Sequence, residues 1–388
     1  MSARPRVLVL SLSPIASDAR VLKQVVLLRD DYELVTCGFG PPPEGVAQHV
    51  QIPDAAANLT PYGRYVSTRQ YRRAYASIPA VAGARAALAA AGIGAGDVDV
   101  VLANDVETVP IALELRPRRG VHADLHEYAP RLHEENPAWK RWLAPFYRWI
   151  CRRYVRRADS VTTVGPQLAA QYTADFGFLC GVVTNAAPYA ADLTPTPVAD
   201  DAPLRLVHSG AGLRNRHLEI MIDAVAQTTR PVTLDLYLTA NDSAYLAQLR
   251  ERASEVDGVR VCHPVPYAEL VPTLHGYDVG VFVLPPVNFS YRLALPNKVF
   301  DYVQARLAAV VGPSPEMVDH VAGHRLGAVT DDFTAAALAR TLDSLSADSV
   351  QQWKASAHAQ AEALSAEAAV RAWSDAVTAL VVDDSAVR

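Results

Sequence analysis

Short β-branched runs alternate with helix-like stretches along this 388-residue chain, and that rhythm leaves few folds open. In the first half the runs are RVLVL at 6–10, YELVT at 32–36, VDVVLA at 98–103, SVTTV at 160–164 and GVVTN at 181–185. In the second half they are LRLVHS at 204–209, VTLDLYL at 232–238, VRV at 259–261, DVGVFVL at 278–284 and LAAVV at 307–311. Strands separated by helices pair in parallel through right-handed crossovers, so the fold class is α/β with doubly wound sheets. A chain of this length, 50% hydrophobic, builds two cores. The segment AADLTPTPVADDAP (190–203) reads as an exposed linker. We therefore expect a first domain over 1–190, a linker over 191–203 and a second domain over 204–365. After about residue 333 the pattern is Ala-rich and helical, with Trp353 and Trp373 on packing faces. These helices close the second sheet or, for a C-terminal helix at about 366–388, pack back on the first domain.

Charge and cysteine usage narrow the function classes. A net charge of −5 and a pI near 6.1 argue against a general nucleic-acid binder, which is basic overall. Cys37, Cys151, Cys180 and Cys262 lie far apart without Cys-x-x-Cys spacing, so neither a zinc knuckle nor a disulfide framework is indicated. The first strand begins almost at the N-terminus, and no apolar run reaches about 18 residues. The expected location is the cytoplasm, at most peripheral to the inner face of a membrane.

The segment Val283–Gly312 points to a ligand class. It places a Lys-bearing turn and a helix carrying Asp301 between two apolar strand-like runs. A strand end followed by a helix N-terminus presents free N–H groups and the positive end of a dipole, with Lys298 beside them. A nucleotide-linked substrate is the first inference.

Taken with other stretches, this segment resembles the retaining glycosyltransferases of the GT-B fold, the large group that includes sucrose-phosphate synthases. SDARVLKQVVLL (17–28) resembles the group's first helix, DLHEYAP (124–130) its Asp-x-His-Glu stretch, and ADSVTTVGPQLAAQY (158–172) its following strand and helix. VVTNAAP (182–188) resembles the strand before the hinge. LVHSGAGLRNRHLEIMIDAV (206–225) resembles the Gly loop of the donor domain, HPVPYAELVPTLHGYDVGVFVLP (263–285) its nucleoside-binding turn, and LPNKVFDYVQARLAAVVG (295–312) its diagnostic helix. The resemblance implies two Rossmann-like domains facing a central cleft, and retaining transfer of a sugar from a nucleoside diphosphate to a hydroxyl without metal or cofactor. The donor would be UDP-, GDP- or dTDP-linked, and the acceptor a glycan, a lipid-linked compound or a small molecule. Two positions depart from the pattern. Leu293 stands where the first carboxylate of a Glu-x7-Glu pair is usual, and Arg306 where Gly is usual. Two alternatives stay open: a nucleotide-sugar epimerase of the same fold, and a catalytically silent nucleotide-binding subunit.

Under this reading Arg216 and Lys298, with the backbone of Gly210 and Gly212, meet the diphosphate, where fixed cations offset charge growing on the leaving group. Arg214 and Asn297 lie beside them, Asp301 accepts from the ribose hydroxyls, and the backbone around His263 and Val265 reads the base. His126, between Asp124 and Glu127 in sequence, is the candidate to bond the sugar or orient the acceptor. Asp18, Asp105 and Glu107 are acceptor candidates; for Asp18 and Asp105, helix capping is the competing role. The Asp97–Asp99 and His320–His324 pairs lack the context of a metal site, and no Gly-x-Gly-x-x-Gly follows the first strand, which argues against a dehydrogenase. Residues 139–157 hold seven Lys or Arg and six aromatics without an acid. They suit peripheral contact with an anionic membrane, with Arg64, Arg69, Arg72 and Arg73 adding to it. In the alternative, Glu134 and Glu135 partly neutralise that helix and its aromatics form the acceptor wall.

Overall fold

The computed structural model describes residues 4–382. The chain forms two compact units: one runs up to Thr184 and resumes from Val370, and the other spans Asn185–Ala369.

The first unit holds a seven-stranded parallel sheet of order β3-β2-β1-β4-β5-β6-β7. Its strands are β1 (Arg6–Pro14), β2 (Glu33–Phe39), β3 (Gln48–Gln51), β4 (Val100–Asn104), β5 (Gly120–Leu125), β6 (Ser160–Thr163) and β7 (Gly181–Val182). The second unit repeats the plan in six parallel strands of order β10-β9-β8-β11-β12-β13. These are β8 (Leu204–Ala211), β9 (Val232–Thr239), β10 (Val259–Cys262), β11 (Val279–Phe282), β12 (Ala308–Val311) and β13 (Gly327–Val329). In each sheet the first strand of the unit lies beside the fourth, so the order reverses between β1 and β4 and between β8 and β11. Crevices at such reversals, outside the carboxyl ends of the strands, are where open α/β sheets bind ligands.

Helices cover both faces, which is why the central strands read as unbroken apolar runs. In β8, Leu206 packs with Leu236, Val281 and Met221 on one face, while its neighbour Val207 packs with Phe282, Val299 and Val303 on the other. The strands β3, β5 and β13 fall outside the sequence rhythm for a physical reason. β3 (QHVQ) buries only Val50, β13 is three residues long, and the central β5 (GVHADL) carries His122 and Asp124 in its interior.

Two features fix what belongs to which unit. The helix Arg371–Val382 packs on the first: Val377 joins the core of Val7, Val25 and Leu102, and Trp373, 1% exposed, lies under the Arg20 guanidinium at 4.8 Å. The part of the expected C-terminal helix beyond residue 382 lies outside the described residues. The stretch 190–203 runs along the second unit and is held there. Buried Arg306 donates to the carbonyls of Ala190 (2.6 Å) and Leu193 (3.1 Å), buried Lys354 donates to Thr196 Oγ1 (2.7 Å), and the Val198 amide donates to Gln351 (3.0 Å).

Candidate active site

In the second unit the loops after β8 and β11 and the helix Asn297–Gln304 bring together a cationic group. Lys298 is the second residue of that helix, whose N-terminus Pro296 opens with its fixed φ of −76°. The Lys298 side chain runs along the backbone of β8: a Cβ at Gly210 would stand 2.6 Å from Lys298 Cε and 2.9 Å from Nζ. A larger residue at 210 would have to push the ammonium group off the strand backbone. Lys298 Nζ lies 5.8 Å from the Phe282 ring, and His208 stacks on the same ring at 5.7 Å. Arg216, in the turn after β8, approaches the Tyr291 ring at 5.9 Å.

The electrostatics of this group is strained in one direction. Burial pushes Lys298 down to about 8, the charge on Arg216 adds to the shift, and Asp301 one turn along the helix opposes it. Burial together with Lys298 holds His208 neutral, at about 3. Among the described residues Lys298 makes no hydrogen bond or ion pair and the buried Nε of Arg216 has no partner, while neutral His208 donates from Nδ1 to the Val281 carbonyl at 3.0 Å and leaves Nε2 as an unpartnered acceptor. Two cations pressed together with free donors form a site that an anion relieves.

The other candidates of this unit have distinct placements. Asp301 is buried, at 3% exposure; burial, with the Asp301 charge adding to it, holds the Tyr267 hydroxyl above its usual range, so the turn after β10 approaches this helix. His263 is exposed and Val265 half-buried in that turn. Asn297 is exposed at the first helical position. Arg214 stacks on Tyr245 at 5.0 Å. The Gly212 amide already donates to the Thr239 carbonyl at 3.1 Å, and a Cβ there would stand 2.8 Å from the same oxygen. Gly212 therefore serves the close approach of β9, and it is Gly210 that lies against Lys298. Leu293, at 8% exposure, caps the short helix Phe289–Arg292.

In the first unit a second polar group lies at the carboxyl ends of β4 and β5. Asp124, fully buried, receives two bonds from Arg20 (2.8 and 2.7 Å), one from Gln24 (3.0 Å) and one from Thr162 (2.7 Å). His126 stands between carboxylates, with Nδ1 3.4 Å from Asp105 and Nε2 3.5 Å from Asp124. Burial alone would lower it, but Asp105 and Asp124 outweigh this and hold the imidazolium up to about 9. Its amide donates to Asp105 Oδ1 at 3.0 Å, and Asp105 stands in the left-handed region with a φ of 66°. Glu107 is pushed up to about 7 by burial and by Asp105, while a bond from Tyr147 opposes the shift. Asp18 caps the helix Ala19–Leu28, accepting from the Arg20 and Val21 amides, and also accepts from Ser13 Oγ at 2.6 Å.

The sequence reading thus finds His126, Asp105 and Glu107 in one group and Gly210, Arg216, Lys298 and Asp301 in another. It passes over Arg20, Gln24 and His208, and over Asn104, whose Oδ1 lies 3.3 Å from His126 Nε2 and accepts from Gln24 at 2.9 Å. Arg20 and Gln24 could have been found as a polar i,i+4 pair on the apolar face of Val21, Val25 and Leu28, and His208 as a lone imidazole inside an apolar strand run. Among the described residues no group of three or more His, Cys, Asp or Glu is arranged to hold a metal ion, and no helix is long and apolar enough to cross a membrane.

Comparison with known proteins bears on the fold of the chain. Residues 18–179 match the family model described as a glycosyl transferase 4-like domain. No curated protein sequence matches the chain. Among solved structures, HepE of Anabaena in complex with UDP superposes with a TM-score of 0.69 at 14% identity, over 96% of this chain and 100% of that one. The same protein in complex with UDP-glucose gives 0.66 at 14%, over 96% and 99%. Sucrose-phosphate synthase of Thermosynechococcus elongatus gives 0.70 at 12%, over 97% and 99%. At these identities the likeness establishes the fold.

Proposed function

From a GT-B chain whose residues 18–179 are similar to the glycosyl transferase 4-like domain, we propose a transferase that moves a sugar from a nucleoside-diphosphate donor, UDP-linked in the first instance, to a hydroxyl acceptor with retention and without a metal. The observation that carries this reading is the pairing of Lys298 and Arg216 beside the bare backbone of Gly210, with donors left free. The structures of HepE with UDP and UDP-glucose support the choice of base.

In this reaction the anomeric C–O bond to the diphosphate breaks while a bond to the acceptor oxygen forms on the same face. The acceptor's proton passes to an oxygen of the departing phosphate, so no protein base is required. Lys298 and Arg216 hold the diphosphate and offset the charge that develops on it. Asp301 accepts from the ribose hydroxyls. His126, kept protonated between Asp105 and Asp124, acts as a hydrogen-bond donor rather than as a base at neutral pH. The acceptor belongs to the first unit, near Asp105 and Glu107.

Isothermal titration of UDP, GDP and dTDP tests the donor half, and product analysis with UDP-sugars tests transfer. Lys298→Ala and Arg216→Ala should each weaken UDP about 10- to 100-fold, the loss of a charge-assisted hydrogen bond of roughly 1.5–3 kcal/mol. UDP binding should also weaken as pH rises through about 8, where Lys298 loses its proton. Unchanged affinity in the double variant would remove the basis of the assignment. UDP binding without release of nucleotide from any donor and acceptor pair would leave a silent binding subunit, and conversion of a lone UDP-sugar to its epimer would mark an epimerase.

A further inference from the structure

Two stretches of the first unit that the transferase reading does not use lie side by side: residues 59–73 and the helix Pro137–Arg153. Between them runs a seam whose two ends differ in chemistry. At one end Val66, Trp139, Trp142 and Leu143 line an apolar slot of about 490 Å³. At the other, Arg69, Tyr71, Arg148, Trp149, Arg152 and Arg153 line a cavity of about 530 Å³, with Arg72 and Arg73 at its margin. From Trp142 to Arg152 the helix advances about 15 Å, at 1.5 Å per residue.

The arginine end has no internal counter-charge. All six guanidinium groups are on exposed residues, and among the described residues none pairs with a carboxylate. Glu134, which the sequence offers with Glu135 as a neutralising partner for this helix, is taken by Arg131 (2.5 Å), and Glu135 lies 3.7 Å from His133 rather than beside any of the six arginines. A chain of net charge −5 therefore concentrates six unpaired arginines in one groove, where planar forks suit phosphate oxygens. The apolar end is equally uncompensated. Trp142 is 40% exposed, and Tyr62 (59%) and Leu59 (43%), beside the slot in sequence, also face water.

We propose that this seam docks the protein on an anionic phospholipid bilayer, the arginines taking lipid phosphates while Trp142 and the slot enter the headgroup and acyl boundary. Charge and apolarity together choose this occupant: a soluble polyanion would account for the arginines and leave Trp142, Tyr62 and Leu59 in water. The inference does not rest on the transferase reading, because vesicle binding is measured without donor or turnover.

Co-sedimentation with vesicles of phosphatidylcholine alone, and of equimolar phosphatidylcholine and phosphatidylglycerol, tests it. The full chain should bind the anionic vesicles and not the neutral ones, and binding should fall with added salt. Neutralising Arg148 and Arg152 to Gln should weaken binding about fivefold for each arginine. Trp142→Ser should weaken it as well, whereas Arg250→Gln, an exposed arginine of the second unit, should not. Unaltered thermal unfolding would establish that the variants fold. Equal binding to neutral vesicles, binding to neither, or full retention in Trp142→Ser would each overturn the proposal. Capture by soluble hexametaphosphate with no vesicle binding would identify a polyanion site instead and would also refute it.

Discussion

At the scale of single residues, the shifted titration of His126 and Glu107 in the first unit has a sign that can be worked out. His126 has its proton held from the usual 6.5 up to about 9 in the folded state. The folded state therefore binds the proton more tightly, and the stabilisation is fully present below 6.5 and lost as pH rises through 9. Glu107 is raised from 4.5 to about 7, so burial of its neutral carboxyl is favourable below 4.5 and becomes a growing cost up to 7. Buried His122 opposes Glu107, because burial lowers it from 6.5 to about 4 and its contribution to stability rises between those values; a net fall in the stability of the first unit should therefore show as pH rises from about 6.5 to 9, by on the order of 3 kcal/mol. Thermal unfolding across that range should show it. His126→Gln should remove the fall above pH 6.5, and Glu107→Gln should leave the rise from His122 unopposed below it; a rise between 6.5 and 9 would contradict the hold of Asp105 and Asp124 on His126.

At the scale of elements, the turn after the helix Asn297–Gln304 and the last described helix do work that their local sequence does not advertise. Arg306 takes a φ of 60°, the left-handed conformation for which glycine pays least, and recovers the cost through bonds to the Ala190, Leu193, Val303 and Gln304 carbonyls and to His358. The resemblance makes Arg306 look like a defect in a glycine position. The structure shows an anchor that straps residues 190–193 onto the second unit. The helix Arg371–Val382 likewise completes the core of the first unit. Trp373→Ala should therefore destabilise the first unit by about 3–5 kcal/mol. In thermal unfolding, the transition of the second unit, which UDP is expected to protect under the proposed function, should stay in place. A shift of that transition alone would place the helix wrongly.

At the scale of the whole molecule, two units of the same strand order are joined by chain crossings at Thr184–Asn185 and Ala369–Val370. Each carries its own charged group at its own sheet reversal. If the donor group is self-sufficient, His126→Gln and Asp105→Asn should leave UDP affinity within about twofold of the original while lowering turnover by about 10- to 100-fold or more. Titration with UDP beside steady-state transfer rates separates the two. Loss of UDP affinity in the first-unit variants would show that the diphosphate is not held by the second unit alone.

Periodicity alone determined the α/β class and placed ten of the strands, because apolar runs buried on both faces of a parallel sheet leave a mark independent of context. The motif stretches also singled out Lys298, Arg216 and Gly210, which the fold brings together, since a cation and bare backbone at the end of a strand leave a mark in local sequence. Partnership was not legible. That Asp124 would be occupied by Arg20, that the Gly212 amide would be taken by Thr239, and that Arg69 and Arg152 would share one groove each depend on side chains far apart in the chain. The strands β3 and β13 were hidden for the same reason: short edge strands owe their pairing to a neighbour's hydrogen bonds and not to their own apolar content. Local sequence sets what each segment can become, and only tertiary packing decides which charges meet, because desolvation and pairing act through space.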